Sequence, residues 1–173
     1  MPLSPSLATL RAAIVLEIKT AMNPASPGLV TTVHPYRRWW KDEAKFRQLF
    51  ERTDIVATPP PPNLQKKING WMVSRSRTVE TETEERWRFY NLHTFQLRGI
   101  MGIKEVDDSE QAFQDQIELI RDRFRLNTTI FGNTERTSPV SNVVSFDREQ
   151  IGEANCWSAI LEVTPEAIET KFL

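Results

Sequence analysis

The chain has one cysteine, Cys156, and two histidines, His34 and His93. A lone cysteine excludes an internal disulfide and a multi-thiolate zinc site, which suits synthesis in a reducing compartment, and its expected role is a small buried thiol. Neither histidine has a second ligand-type residue at zinc-motif spacing, so little is left for metal or general-base chemistry. His93 falls inside an alternating aromatic run, where a packed, hydrogen-bonded imidazole is the expected arrangement. The six glycines are scattered, and no Gly-rich stretch precedes a helix, so a phosphate loop is not indicated. No Gly-x-Ser-x-Gly nucleophile elbow occurs. Long apolar runs are missing too: Ala12 to Leu16 sits between Arg11 and Glu17, too short for a signal-peptide core or a spanning helix, and no export or membrane route is expected.

Charge of one sign is also lacking. Twenty-two Lys and Arg stand against 23 Asp and Glu, a net charge of −1, so no global field holds a polyanion against counterion competition and specific nucleic-acid binding is disfavoured. What the 173 residues do contain is an ordinary globular mixture, 39% apolar and 26% charged, which places the chain outside the disordered class and fits one domain over 1–173.

Ser4-Pro5 reads as an N-cap with proline at the first helical position, and Leu7, Leu10, Ile14, Ile18 and Ala21 recur at helical spacing, predicting a helix over about 5–22 that Asn23-Pro24 ends. Past Pro27 and Gly28, Val30-Thr31-Thr32-Val33 predicts a short strand. Trp39, Phe46 and Phe50 then line one side of a polar helix reaching about Arg52. Residues 54–67, with prolines at 59–62, are expected to form an ordered surface loop rich in polyproline II. From Ile68 the period changes to two. Trp71, Val73, Arg75, Arg77 and Val79 form one stripe, and after the polar stretch 80–85 a second run puts Trp87, Phe89, His93, Phe95 and Leu97 on one face, ending at Gly99. The two runs predict a long antiparallel hairpin with a charged tip. Asp107 and Glu110 have capping-box spacing ahead of Phe113, Ile117, Ile120 and Phe124, predicting a helix over about 109–125. Val140 to Phe146 and Cys156 to Val163 read as strands. The order α, β, α, ββ, α, ββ predicts an α+β fold, a mostly antiparallel sheet with a long hairpin packed by about three helices.

Little in this pattern points to catalysis. Glu80, Glu82, Glu84 and Glu85 crowd the hairpin tip, where solvated charge is the plain reading. Arg37, Arg38, Trp39, Trp40 and Lys41 interleave charge with indoles and could hold a single-stranded nucleic acid, but Trp39 at the start of an apolar helix face favours core packing with surface arginines. Arg75, Arg77, Arg86 and Arg88 suit cross-strand ion pairs or matching charges on a neighbouring subunit. A small hydrolase using His93 is the least supported alternative.

The order of landmarks resembles the tail terminator proteins of long-tailed phages, also called tail completion or minor tail proteins. The resemblance spans most of the chain: the helix Leu7 to Met22, the segment Val33-His34-Pro35-Tyr36-Arg37-Arg38-Trp39, then Asn69-Gly70-Trp71-Met72-Val73-Ser74-Arg75. His93-Thr94-Phe95-Gln96-Leu97-Arg98-Gly99 follows, ahead of a helix start at Ser109, Phe113 and Gln114, and the chain closes on Cys156-Trp157-Ser158-Ala159-Ile160-Leu161-Glu162-Val163. The 59–62 proline run and the Glu and Thr-rich tip depart from that pattern. The resemblance implies a non-enzymatic virion protein, without cofactor, metal or membrane, that forms a hexameric homo-oligomer ring on the head-proximal end of the tail tube. Its partners would be the tail tube protein and the head-tail connector protein, and DNA would pass through the lumen without specific binding. A head-tail connector or adaptor subunit is the alternative within the same assembly. A ring closes through a heterologous contact between two different patches. The hairpin is the expected source of these patches, with Trp71, Val73, Arg75, Arg77, Glu82, Glu84, Arg86 and Arg88 as candidate assembly residues.

Overall fold

Two long strands organise the molecule. The computed structural model describes residues 6–22, 32–56, 63–82, 88–103, 109–126, 136–137 and 142–170. In chain order these form α1 (Leu7–Met22), β1 (Thr32–His34), α2 (Glu43–Phe50), β2 (Glu51–Val56), β3 (Asn63–Glu82), β4 (Arg88–Gly102), α3 (Ser109–Leu126), β5 (Arg136–Thr137), β6 (Asn142–Ile151), β7 (Ala154–Val163) and β8 (Pro165–Thr170). The fold is α+β, as the sequence predicts. Its sheet runs β1-β3-β4-β7-β6; β2 adds to β3, β8 to β4, and β5 to β8. Every pairing is antiparallel except β1 with β3.

Alternation along β4 divides the molecule into two layers, because successive side chains point to opposite faces. Phe95 and Leu97 face α1 and α3, where Leu10, Ile14 and Ile18 meet Phe113, Ile117, Ile120 and Phe124 over Trp71, Val73, Trp157 and Leu161. Ile100 faces the other way, into a smaller cluster in which Phe46 and Phe50 of α2 cover Ile68, Met72, Ile151, Ala154 and Cys156. Each large apolar side chain so buried contributes roughly 2 kcal/mol of transfer free energy.

One buried charge ties the helices of the larger layer together. Glu17 of α1 is fully buried, and the Arg123 guanidinium of α3 donates to its carboxylate through Nε. Hydrogen bonds to charged groups carry more than neutral ones. Arg123→Ala is therefore expected to lower stability by about 2 kcal/mol, read as a shifted urea midpoint with an unchanged slope.

Several expectations change. The helix predicted from Trp39 begins only at Glu43, because Asp42 caps it: its carboxylate accepts from the Lys45 amide at 2.9 Å. Trp39 precedes the cap and is 76% exposed, while Trp40 packs on Phe46 and Phe50 with ring centroids 5.2 and 5.8 Å away. The predicted loop 54–67 is largely strand, since β2 and the start of β3 pair from Glu51↔Ile68 to Val56↔Asn63; their polar sequence carries no period-two signal. The prolines at 59–62 lie outside the described residues, as do Ser4-Pro5, Asn23-Pro24, Pro27, Gly28, Val30, Thr31, Glu84 to Trp87, Asp107 and Val140.

The strand predicted to end at Gly99 continues to Gly102. Gly99 sits opposite Trp71, and the indole lies so close that a Cβ on Gly99 would fall 2.6 Å from Cη2 and Cζ2. This glycine marks a close approach inside a strand, not a turn. At the far end of the sheet, β6 and β7 form a hairpin through Gly152, in the left-handed region with φ of 62°. The Glu43 carboxylate accepts the Glu153 amide there at 2.7 Å, fastening α2 to the turn, and that bond holds the Glu43 carboxyl below its usual range. β5 and β8 were not anticipated from the sequence.

Candidate assembly interface

The β3 strand changes face midway. Pairing with β4 slips between Arg75 and Arg77, a β-bulge at Ser76, whose hydroxyl donates to the Thr94 carbonyl at 3.1 Å. Before the bulge Trp71, Val73 and Arg75 belong to the α1/α3 face. After it Thr78 takes over that face opposite His93, while Arg77 and Val79 turn to the α2 face opposite Thr94 and Leu92. An extra residue in one strand breaks the period of two in this way. The predicted single stripe from Trp71 to Val79 is thus two half-stripes.

This corrects the candidate set. Trp71 and Val73 are fully buried in the larger core and are not available to another subunit. Arg75 and Arg77 are exposed, so they remain. They face Phe95 and Thr94 rather than carboxylates, and among the described residues neither lies within salt-bridge distance of an acid, so the cross-strand ion pairs expected for them do not form. Glu82 ends β3 opposite Phe89, and Arg88 opens β4 opposite Thr170; their side chains lie outside the described residues, as do Glu84 and Arg86 entirely.

Among the described residues β3 and β6 each present an unpaired edge, as do the shorter β1, β2 and β5. β4 lies along one side of β3 over 69–82; β1 pairs at 70–72 and β2 at 63–68. Among the described residues, 73–79 therefore pair on the β4 side alone. At the opposite end of the sheet β6 pairs, among the described residues, only with β7. An unpaired row of amides and carbonyls is a template for another strand. Exposed apolar side chains accompany the β3 and β6 edges: Val79, Leu92 and Tyr90 on the α2 face beyond the helix, and Val143 and Val144 on β6. Neither Tyr90 and Leu92 nor any residue of β6 stood among the candidates from sequence. The adjacent valines 143 and 144 were a usable signal, because a second bulge between Val143 and Ser145 is what lets both be exposed.

Both histidines are packed and hydrogen-bonded. His34 bonds the Leu49 carbonyl through Nε2 at 3.0 Å and meets Phe50 edge-on; His93 is buried, with Nδ1 3.0 Å from the Thr78 hydroxyl. Among the described residues no three His, Cys, Asp or Glu gather as metal ligands, and no helix is long and apolar enough to cross a membrane. Burial, and next the nearby Glu149 carboxylate, push the Cys156 thiol up to about 11. A raised thiol favours folding below its ordinary range, and that contribution is lost as pH climbs from 9.0 toward about 11. Since the thiolate is the reactive form, Cys156 is expected to resist a thiol-reactive dye at pH 8 in the folded protein and to react fully in urea.

A further exposed group lies before α2. The Arg37 guanidinium stacks over Trp39 at 4.4 Å and Arg11 over Tyr36 at 4.5 Å, and Arg38 and Lys41 are exposed. No protein-family model matches the sequence, and no curated protein matches it.

Proposed function

We propose that this chain is a structural virion subunit that caps the head-proximal end of a phage tail tube as a ring of six, ending tube growth and presenting the surface for head joining. The observation that carries this reading is the unpaired edges of β3 and β6, among the described residues, on opposite sides of one mostly antiparallel sheet, because a ring needs two different, mutually complementary patches on each subunit. The order of landmarks shared with tail terminators supplies the place in the particle. The near-neutral charge suits a lumen through which DNA passes without being held. Electron microscopy of particles made with and without the protein tests it. Tails lacking it should overrun their normal length and fail to join heads, and labelled protein should sit at the head-proximal end. Label on the head vertex of tail-free heads would favour a connector or adaptor subunit instead, and label nowhere on the particle would refute both.

The exposure of Trp39 favours a second reading, a single-stranded nucleic-acid accessory role, since the reason for treating that indole as core has gone. Base stacking on an exposed aromatic flanked by arginines is a known platform. Salt-dependent retention of single-stranded DNA, weakened by Trp39→Ala in a folded protein, is the outcome this reading requires.

A further inference from the structure

We infer that the open edge of β3, residues 73–79, receives β6 of a second copy of this chain, so that the sheet continues from subunit to subunit. The inference rests on the ring reading and specifies its joint.

Topology sets the direction. Between these two open edges lie four strands, β3, β4, β7 and β6, each antiparallel to the next, so β6 runs opposite to β3. Asp147 stands level with Gly70 through Ser158 and Ile100, so subunits placed head to tail with parallel strand axes and offset by about seven residues along them bring β6 against 73–79 of the next β3 as an antiparallel pair, the more stable of the two ladder types. Seven residues of open β3 edge meet a ten-residue β6, and the match spans about 23 Å at about 3.3 Å per residue.

Charge sets the partner. Arg77 lies on the α2 face, because it pairs with Thr94, two strand periods from Arg98 and three from Ile100 on the same side. Asp147 lies on that face too: it pairs with Ser158, which pairs with Ile100. Both are exposed, and neither has an ion-pair partner among the described residues. A continuous sheet keeps its faces, so the joint brings the unpaired guanidinium and the unpaired carboxylate to the same side. Glu149, the next acid on that face, is already held by Arg98 Nη2 at 2.7 and 2.6 Å. An antiparallel pair of β3 with another β3 centred on Arg77 would instead set that guanidinium against its own copy, and like charges opposed across a ladder are unfavourable. The exposed Val79 and Leu92 beside Arg77 would gain cover from the incoming strand, and so would Val143 and Val144 on the other side of the joint.

Charge reversal tests this in the full chain. Arg77→Glu and Asp147→Lys each put like charges at the joint, and each is expected to weaken self-association roughly tenfold or more, read by light scattering. Thermal unfolding should match wild type at a concentration low enough that wild type is dissociated too, since both side chains are exposed in the single subunit. A one-to-one mixture of the two variants should assemble again, because each supplies the edge that complements the other's altered one, and a ring of six closes with alternating subunits. The double variant should assemble with itself but not with wild type. Single variants that associate like wild type, or folded variants whose mixture is not rescued, would overturn the joint while leaving the ring reading intact if wild type still assembles on tails. A wild-type chain that neither self-associates nor reaches tails would remove both.

Discussion

Trp71→Ala is expected to cost about 4 kcal/mol, the range for truncating a large buried aromatic. The indole is fully buried, lies close against Gly99, and packs at a tilt on Phe113 with centroids 5.9 Å apart. It fills the place where β3, β4 and α3 meet, and close-packed surroundings recover little of the volume left behind. Among the described residues its Nε1 has no hydrogen-bond partner, so the stabilisation comes from packing, not from polar contacts. Gly99→Ala approaches the same contact from the other side. A methyl 2.6 Å from two ring carbons cannot be accommodated by a ring held on all sides, and overpacking of this kind costs about 2 kcal/mol. In the Trp71→Ala background the same methyl enters space that is now empty, so its cost should vanish or reverse. Urea unfolding of the four chains closes the cycle, and additive effects would mean that the two residues are not in contact.

Phe50→Ala should have an effect of similar size, about 4 kcal/mol, with a different signature. Phe50 is fully buried at the centre of the smaller layer, edge-on to His34 and Trp40 and 5.3 Å from Phe46. It also rests on Gly70, where a Cβ would fall 2.5 Å from its Cδ1. Removing the ring loosens α2 and β1 together, because the His34 bond to the Leu49 carbonyl depends on the helix holding its place. Cys156 belongs to the same cluster. The variant is therefore expected to expose Cys156 to thiol-reactive dye at urea concentrations where the larger layer remains folded, and to lose hydrogen-exchange protection in α2 first. Equal protection across both layers would contradict that division.

The larger layer was readable from sequence because its elements carry clean periods. Leu10, Ile14 and Ile18, or Phe113, Ile117, Ile120 and Phe124, mark helix faces, and His93, Phe95 and Leu97 mark a strand face, so residue pattern and burial coincide. The smaller layer was harder, because its period is interrupted by the chain's own local chemistry. Asp42 caps α2 so that it starts at Glu43, four residues later than the Trp39 spacing implies. β2 has no alternation to announce it. The bulge at Ser76 exchanges the faces of β3, which is why Trp71 and Arg77 were placed on one stripe although one is core and the other surface. Open edges are not visible in sequence at all, since they depend on which strands fail to find a neighbour; only the charged and β-branched content of 73–79 and 142–147 hinted at them. The proposed assembly surface thus keeps Arg75 and Arg77, loses Trp71 and Val73, and gains Asp147, Val79 and Leu92.

The mass of the purified protein, measured in solution across a range of concentrations and again after mixing with tail tubes, is the most direct trial of self-association. A closed ring near six times 20.0 kDa, free or bound to tube ends, is the predicted result. A particle of 20.0 kDa at every concentration, leaving tube ends bare, would contradict it.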